Sequence, residues 1–197
     1  MATRTAAKKS TRTKKAPVRK APSRNTGRAG SKVPEISSDQ ASRTVQILQD
    51  RLVALLDLHL TLKHIHWNVV GVNFISIHEF LDPQVDSVRA MADATAERIA
   101  ALGGEPRGTP GAIVAKRTWD DYELGREPTV RHLSALDHVY TGVIVDHRKA
   151  MDELGDLDPV SEDLLIGHLR DLEQYQWFVR AHLQNADGEV IFRDTEH

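Results

Sequence analysis

His66-Trp67-Asn68-Val69-Val70-Gly71-Val72-Asn73-Phe74 lies between two long amphipathic segments and fixes how they follow each other. The first segment, from Asp39 to about Asn68, carries apolar residues at the i, i+3, i+4, i+7 spacing of a helix. Val70-Gly71-Val72-Asn73 is typical of a turn. A second helix is predicted from about Ile75 to Leu102, where Gly103-Gly104 ends it. The stretch therefore predicts two consecutive helices joined by a tight turn.

Two more helices follow a long connection. Residues 105–127 are interrupted by prolines and glycines, and Ala112 to Lys116 can form a short helix within them. Pro128 suits the first turn of a third helix, and a fourth helix is predicted from about Ser161 to Asn185, after the break at Asp158-Pro159. No convincing strand or repeat is present. Four long helices with one long crossover after the second indicate an all-α, ferritin-like four-helix bundle with a short extra helix in the crossover.

Polar residues mark the start of the first predicted helix. Ser38 or Asp39 can cap its start. Its core residues share the helical spacing and are Val45, Leu48, Leu52, Leu55, Leu56 and Leu62. The third and fourth helices carry comparable stripes, which include Tyr140 and Trp177. The chain therefore has enough apolar helix faces to form one packed core.

Charge is divided sharply along the chain. Eleven of the 26 Lys and Arg residues lie before residue 33, and none of the 28 Asp and Glu residues does, so the rest has a net charge of −13. Residues 1–36 are also poor in large apolar side chains and are predicted to be a disordered basic arm. We therefore divide the chain into this arm, a bundle at residues 37–187 and a short C-terminal tail at residues 188–197.

Several classes of protein are excluded by composition. The chain has no cysteine, which excludes disulfides, thiolate zinc sites and iron–sulfur clusters. No apolar run approaches the roughly 20 residues of a membrane span, so no membrane partner is expected. The charged start of the chain is not followed by the apolar segment of a secretory signal.

One stripe of the second helix concentrates charge. His78, Asp82, Asp93 and Glu97 fall on one face, at about 100° per residue, and form two pairs with i, i+4 spacing. A solvated charged face is the simple interpretation. A metal site is the alternative, but Asp82 and Asp93 are eleven residues apart, about 16 Å along a helix. One ion cannot bind both, so a site that used all these residues would need two chains.

The stripe is also symmetric about a point between Ser87 and Val88. Two antiparallel copies of this helix would place His78 and Asp82 against Asp93 and Glu97 of the partner subunit, once at each end of the contact. Such isologous packing creates two identical sites. The same symmetry predicts an ion pair between Asp86 and the partner's Arg89. A histidine from the end of the first helix could join the site, but spacing alone does not choose among His59, His64 and His66.

The combined motif resembles that of the Dps family, the bacterial ferritin-like proteins that protect DNA from iron and peroxide, in an actinobacterial-looking form with a basic N-terminal extension. The matching residues are His66-Trp67-Asn68-Val69-Val70-Gly71-Val72-Asn73-Phe74, His78-Glu79, Asp82, Ala96-Glu97-Arg98, Glu173 and Trp177-Phe178. The resemblance implies a ferroxidase site for Fe²⁺ and Fe³⁺ at a dimer interface. His66, His78 and Asp82 would come from one chain, and Asp93 and Glu97 from its twofold partner.

The resemblance implies further features. They are a hollow dodecamer built from twofold dimers, Asp163 lining an acidic pore, and Trp67 donating electrons near the site. Glu162 and Asp163 equally suit the first turn of a helix, and Trp67 could instead be a buried anchor. Trp119 and Trp177 are expected to pack in the fold or at subunit contacts. Imidazole and carboxylate also accept zinc as a substitute. The alternative function is a structural nucleoid protein whose metal site is vestigial or holds zinc.

The basic arm is predicted to bind double-stranded DNA without sequence specificity. It has no aromatic residue for base stacking, and flexible cations contact phosphates without reading sequence. The residues assigned to these contacts are Lys8, Lys9, Arg12, Lys14, Lys15, Arg19, Lys20, Arg24, Arg28 and Lys32. The acidic body should repel DNA, so binding would depend on several arms per oligomer. The expected location is the cytoplasm, in association with the nucleoid.

Overall fold

The computed structural model describes residues 33–184. Its long helices are α1 (Ser38–Asn68), α2 (Phe74–Ala101), α4 (Thr129–Gly155) and α5 (Pro159–Leu183), and the short α3 (Pro110–Lys116) lies in the crossover. α1 packs along α2 and α4 along α5, with further contacts from α1 to α4 and from α2 to α5. The predicted four-helix bundle with an extra crossover helix is confirmed.

The helix ends differ from the sequence prediction by a few residues. Ser37, rather than Ser38 or Asp39, caps α1: its hydroxyl accepts from the Gln40 amide, and the Gln40 side chain accepts from the Ser37 amide. This reciprocal pair is a capping box. Pro128 precedes the first residue of α4. α5 already begins at Pro159, because a proline at the first helical position gives up no hydrogen bond. The predicted end of the fourth helix at Asn185 lies outside the described residues.

The prediction that no strand is present was wrong. Val69–Val70 forms β1 and Glu127–Pro128 forms β2, and the two pair in parallel. This short ladder holds the end of the crossover beside the turn between α1 and α2. Gly71, at φ +113°, continues that turn in a backbone conformation that other residues rarely adopt. The pairing joins residues far apart in sequence, so no local sequence pattern predicts it.

The core is one cluster of aliphatic side chains from all four long helices. Tyr140 is fully buried among them, and its hydroxyl donates to Gln84 Oε1 at 2.6 Å. Val33 and Ile36, which the sequence analysis assigns to the arm, pack partly against this core. The ten Lys and Arg residues assigned to DNA contacts, from Lys8 to Lys32, and the predicted C-terminal tail lie outside the described residues.

A polar layer crosses the bundle, and the apolar spacing along the helices gives no indication of it. Arg51, His147 and His168 are buried there, and the two imidazole rings are 6.3 Å apart. Burial lowers the pKa of His147 to about 3, with help from the Arg51 charge, and lowers the pKa of His168 to about 4. Both rings are therefore neutral near pH 7. Arg51 Nη1, His147 Nε2 and His168 Nδ1 are buried without a hydrogen-bond partner.

Candidate metal centre

His66 and His78 face each other across the α1–α2 hairpin. Their rings stack with centroids 3.6 Å apart. His66 Nδ1 donates to the His78 carbonyl at 2.9 Å, and His78 Nδ1 donates to the His66 carbonyl at 2.8 Å. A carbonyl only accepts, so each Nδ1 carries a proton, and Nε2 is the nitrogen of each ring that is left to bind an ion. Such hydrogen bonds commonly orient histidines that bind metal ions.

Asp82 lies next to this pair, one helical turn after His78. Its Oδ1 is 3.3 Å from His66 Nδ1 and accepts from Lys63 Nζ at 3.0 Å. The hydrogen bond from Lys63 lowers the pKa of Asp82, and the positive charge of Lys63 acts in the same direction, against a smaller effect of burial. Asp82 is therefore ionised near neutral pH, as a carboxylate ligand must be. We call His66, His78 and Asp82 the histidine half-site.

The choice among the three histidines of α1 is decided by their neighbours. His64 Nε2 contacts the Leu124 carbonyl at 2.7 Å, on the side of the crossover. His59 is partly buried in a groove between α1 and α2. Only His66, of the three, stacks on His78.

Asp93 and Glu97 are exposed, in a later part of α2. Within residues 33–184, no group of three or more His, Asp or Glu side chains is arranged to hold a metal ion. We call Asp93 and Glu97 the acidic half-site. A site built from all five residues would need the acidic half-site of a second chain.

A surface groove of about 670 Å³ gathers the residues that the symmetry argument assigns to a dimer contact. Asp86, Arg89 and Asp93 line it on the α2 side, and apolar side chains such as Leu52 and Leu56 line it on the α1 side. Asp86 and Arg89 are both exposed. The groove therefore joins an apolar floor to a charged stripe on the face where the second α2 helix is expected.

The three tryptophans have different environments. Trp67 is 70% exposed, so the interpretation of it as a buried anchor is wrong for the single chain. Trp119 is half-buried against the core, as expected. Trp177 is 63% exposed and contacts Phe178, with ring centroids 5.0 Å apart, which leaves it free for a subunit contact rather than a place in the core.

Asp163 and Glu173 are the remaining acidic residues singled out in α5. Asp163 is exposed near the start of the helix. Glu173 forms an ion pair with Arg148 of α4. Asp163 is thus available to line a pore in an oligomer, whereas Glu173 already has a structural partner.

Two polar contacts near the site were missed by the sequence analysis. One is the ion pair of Lys63 with Asp82, which could have been suspected because Lys63 lies three residues before His66 on the same face of α1. The other joins Tyr122 of the crossover to His132 of α4, where the hydroxyl and Nδ1 are 2.9 Å apart. Nothing in the sequence pattern pairs these two residues.

The profile of the ferritin-like domain matches residues 45–188. The DNA protection during starvation protein of Mycolicibacterium smegmatis is 58% identical over 80% of this chain and 86% of its own length. The solved structure of DpsA14 from Streptomyces coelicolor has a TM-score of 0.81 at 61% identity and covers 83% of this chain and 96% of that one. The chain belongs to the Dps family of ferritin-like proteins. The resemblance found in the motifs is confirmed.

Membership of the Dps family supports a role in iron storage and DNA protection. A fold by itself does not fix a function. One relative, 46% identical over 80% of this chain and 84% of its own length, is named the fine tangled pili major subunit of Haemophilus ducreyi.

The comparisons give no support to zinc as the metal. No helix within residues 33–184 is long and apolar enough to cross a membrane.

Proposed function

We propose that this Dps-family chain is a ferroxidase that oxidises Fe²⁺, preferentially with hydrogen peroxide, at sites shared by two subunits. Each site would combine the histidine half-site of one chain with Asp93 and Glu97 of the partner subunit. The observation that carries the proposal is the division of the five residues into two half-sites, with His66, His78 and Asp82 together and Asp93 and Glu97 apart.

The donor set suits iron as a substrate. Carboxylates are hard anionic ligands that favour the ion as it becomes Fe³⁺, whereas imidazole also binds Fe²⁺. The reciprocal hydrogen bonds of His66 and His78 leave both Nε2 atoms with lone pairs for an ion. With three carboxylates and two imidazoles in the set, Fe³⁺ would be held weakly enough to move on as mineral.

The same assembly would protect DNA in two ways. Twelve chains, built from twofold dimers, would enclose the mineral, with Asp163 lining an acidic entrance for Fe²⁺. The basic arms would hold double-stranded DNA through phosphate contacts and place the shell on the nucleoid in the cytoplasm. Consuming Fe²⁺ together with peroxide next to DNA removes the reactants that form hydroxyl radical.

Mixed oligomers test the shared site directly. One variant, His78→Ala/Asp82→Ala, loses the histidine half-site, and a second, Asp93→Ala/Glu97→Ala, loses the acidic half-site. Each alone should be inactive. A dimer of the two variants restores one of its two sites, because each chain supplies the half that the other lacks. With equal and random assembly, about one quarter of the wild-type ferroxidase rate should return.

The readout is the initial rate of ferric absorbance after Fe²⁺ and hydrogen peroxide are mixed with the refolded oligomers. Separately refolded variants that are mixed without exchange of subunits serve as the control. If the co-refolded oligomers stay inactive although both variants assemble, the five residues do not form an intersubunit site. If either variant alone keeps the wild-type rate, the proposed ligands are wrong.

A further inference from the structure

Tyr122 and His132 form a hydrogen-bonded pair behind the end of α1. The Tyr122 hydroxyl and His132 Nδ1 are hydrogen-bonded, with 2.9 Å between the atoms, and the rings are nearly parallel with centroids 6.0 Å apart. His132 is fully buried, and Tyr122 is mostly buried in the crossover. A phenol held against an imidazole in this way has a proton acceptor at hydrogen-bond distance.

The surroundings of His132 suit a neutral ring that can take up one proton. Burial lowers the pKa of His132, while the carbonyl groups of Gly125 and Asn68 act to raise it. In the tautomer with Nε2 protonated, the neutral ring presents the Nδ1 lone pair to Tyr122, and the two carbonyls would stabilise the imidazolium formed on proton transfer.

The pair lies close to the part of α1 that carries the histidine half-site. The Tyr122 ring contacts the His64 ring edge-on, with centroids 5.7 Å apart. His64 is two residues before His66, about 3 Å of helix rise and about 200° around the helix axis, so the two side chains lie on opposite faces of α1. The Asn68 side chain also donates to the His64 carbonyl at 2.8 Å. Ring contacts and hydrogen bonds thus connect the pair to the segment containing His66 and Trp67.

We propose that Tyr122 is a redox-active residue that gives up one electron to radicals produced from Fe²⁺ and hydrogen peroxide, while its proton passes to His132 Nδ1. The source of the radicals rests on the proposed function. Buried tyrosine is otherwise hard to oxidise, because losing only an electron would leave a cationic phenol away from water. Moving the proton to His132 in the same step avoids that species.

The electrons and protons balance. One Fe²⁺ reduces hydrogen peroxide to hydroxide and a hydroxyl radical and becomes Fe³⁺. The radical takes an electron from Tyr122 and becomes hydroxide, while the phenolic proton moves to His132 and leaves a neutral tyrosyl radical beside an imidazolium. A second Fe²⁺ then returns an electron to Tyr122, and His132 returns the proton. The pair would thus convert a diffusible radical into the oxidation of a second Fe²⁺.

Tyr140 provides a matched control inside the same bundle. It is also buried and hydrogen-bonded, but its hydroxyl donates to Gln84 Oε1. An amide oxygen is a far weaker base than imidazole and cannot hold the proton. Tyr140 should therefore stay reduced under conditions that oxidise Tyr122.

The first experiment uses the assembled protein without iron and a photogenerated ruthenium(III) polypyridyl oxidant. Electron paramagnetic resonance should detect a tyrosyl radical in wild type and in Tyr140→Phe, and ring-deuterated tyrosine should narrow its signal. Tyr122→Phe should lose the signal. His132→Gln should form it about a hundredfold more slowly, because the positioned proton acceptor is gone. An equal tyrosyl signal in Tyr122→Phe would overturn the proposal.

The second experiment adds Fe²⁺ and hydrogen peroxide and measures hydroxyl radical with a spin trap. Tyr122→Phe should release more trapped radical per Fe²⁺ oxidised than wild type or Tyr140→Phe, and it should oxidise fewer Fe²⁺ per hydrogen peroxide consumed. Equal release from all three would overturn the link between Tyr122 and iron chemistry. A normal photochemical signal in a wild-type protein that does not oxidise iron would instead overturn the proposed function.

Discussion

His66 and His78 each donate a hydrogen bond from Nδ1 to the backbone carbonyl of the other, while their rings stack with centroids 3.6 Å apart. Each histidine therefore orients its partner through the partner's own backbone. The histidine half-site therefore depends on the α1–α2 hairpin, since the hairpin turn brings each carbonyl within hydrogen-bond distance of the other residue's ring. Replacing either histidine should therefore disturb the orientation of the other ring.

His78→Ala should weaken anaerobic Fe²⁺ binding by about 10- to 100-fold, because it removes an imidazole and frees the ring of His66 from its stacking partner. Isothermal titration of the assembled protein with Fe²⁺ measures this. His138→Ala, which removes an exposed histidine of α4, is the control and should bind as wild type. Wild-type affinity in His78→Ala would show that His78 is not a ligand.

Reversing one charge of the proposed ion pair should weaken the dimer. Asp86→Arg would place two arginines opposite each other twice per twofold contact, and we expect the dissociation constant to rise about tenfold or more. The double variant Asp86→Arg/Arg89→Asp should recover most of the loss. Sedimentation velocity over a range of concentrations measures both. An unchanged dimer in the single variant would place the two residues outside the contact.

Deleting residues 1–32 should abolish retention of DNA in a gel shift and leave the rate of iron oxidation near wild type. The deletion removes eleven positive charges from a chain whose remainder has a net charge of −13. Wild-type retention should also weaken steeply between about 50 and 200 mM salt. Replacing the same Lys and Arg residues with Gln separates the effect of the arm's charge on DNA retention from the effect of its length. Retention by the neutral arm would contradict phosphate binding.

Acid should destabilise the folded chain through His147 and His168. Their folded pKa values of about 3 and about 4 lie below the ordinary value of about 6.5, so between these values the unfolded chain binds more protons. Stability therefore falls as the pH drops through this window, by up to about 1.4 kcal/mol per pH unit for each histidine. The double variant His147→Gln/His168→Gln should show a shallower dependence.

Urea unfolding at pH 7 and at pH 5, at one fixed protein concentration, compares that double variant with wild type. His138→Gln controls for the loss of an exposed histidine. Carboxylates titrate in the same range, but their contribution is common to all three proteins and cancels in the comparison. An equal loss of stability in wild type and the double variant would show that the buried pair does not respond to acid.

The helices and their order could be predicted because they depend on local interactions. Apolar residues spaced by three and four positions define α1, α2, α4 and α5, and the observed bounds differ by a few residues at most. The small errors lie at the caps. Ser37 was missed because several neighbouring polar residues can cap a helix, and the side-chain hydrogen bonds choose among them.

The candidate site was predictable in part. The rise of a helix separates Asp82 from Asp93 whatever the fold, so the need for two half-sites follows from the sequence. That His66, rather than His59 or His64, stacks on His78 depends on how α1 rotates against α2. This rotation is set by packing along the whole hairpin. The spacing of residues along one helix carries no information about that packing.

The sequence by itself determined the four helices, the charge division between arm and body, and the symmetric stripe on α2, because each depends on residues close together in the chain. Only the tertiary structure decided the parallel pairing of β1 with β2, the polar layer of Arg51, His147 and His168, and the contact of Tyr122 with His132. The physical reason is that these contacts join separate elements, and their partners are selected by the packing of the whole bundle rather than by any local pattern.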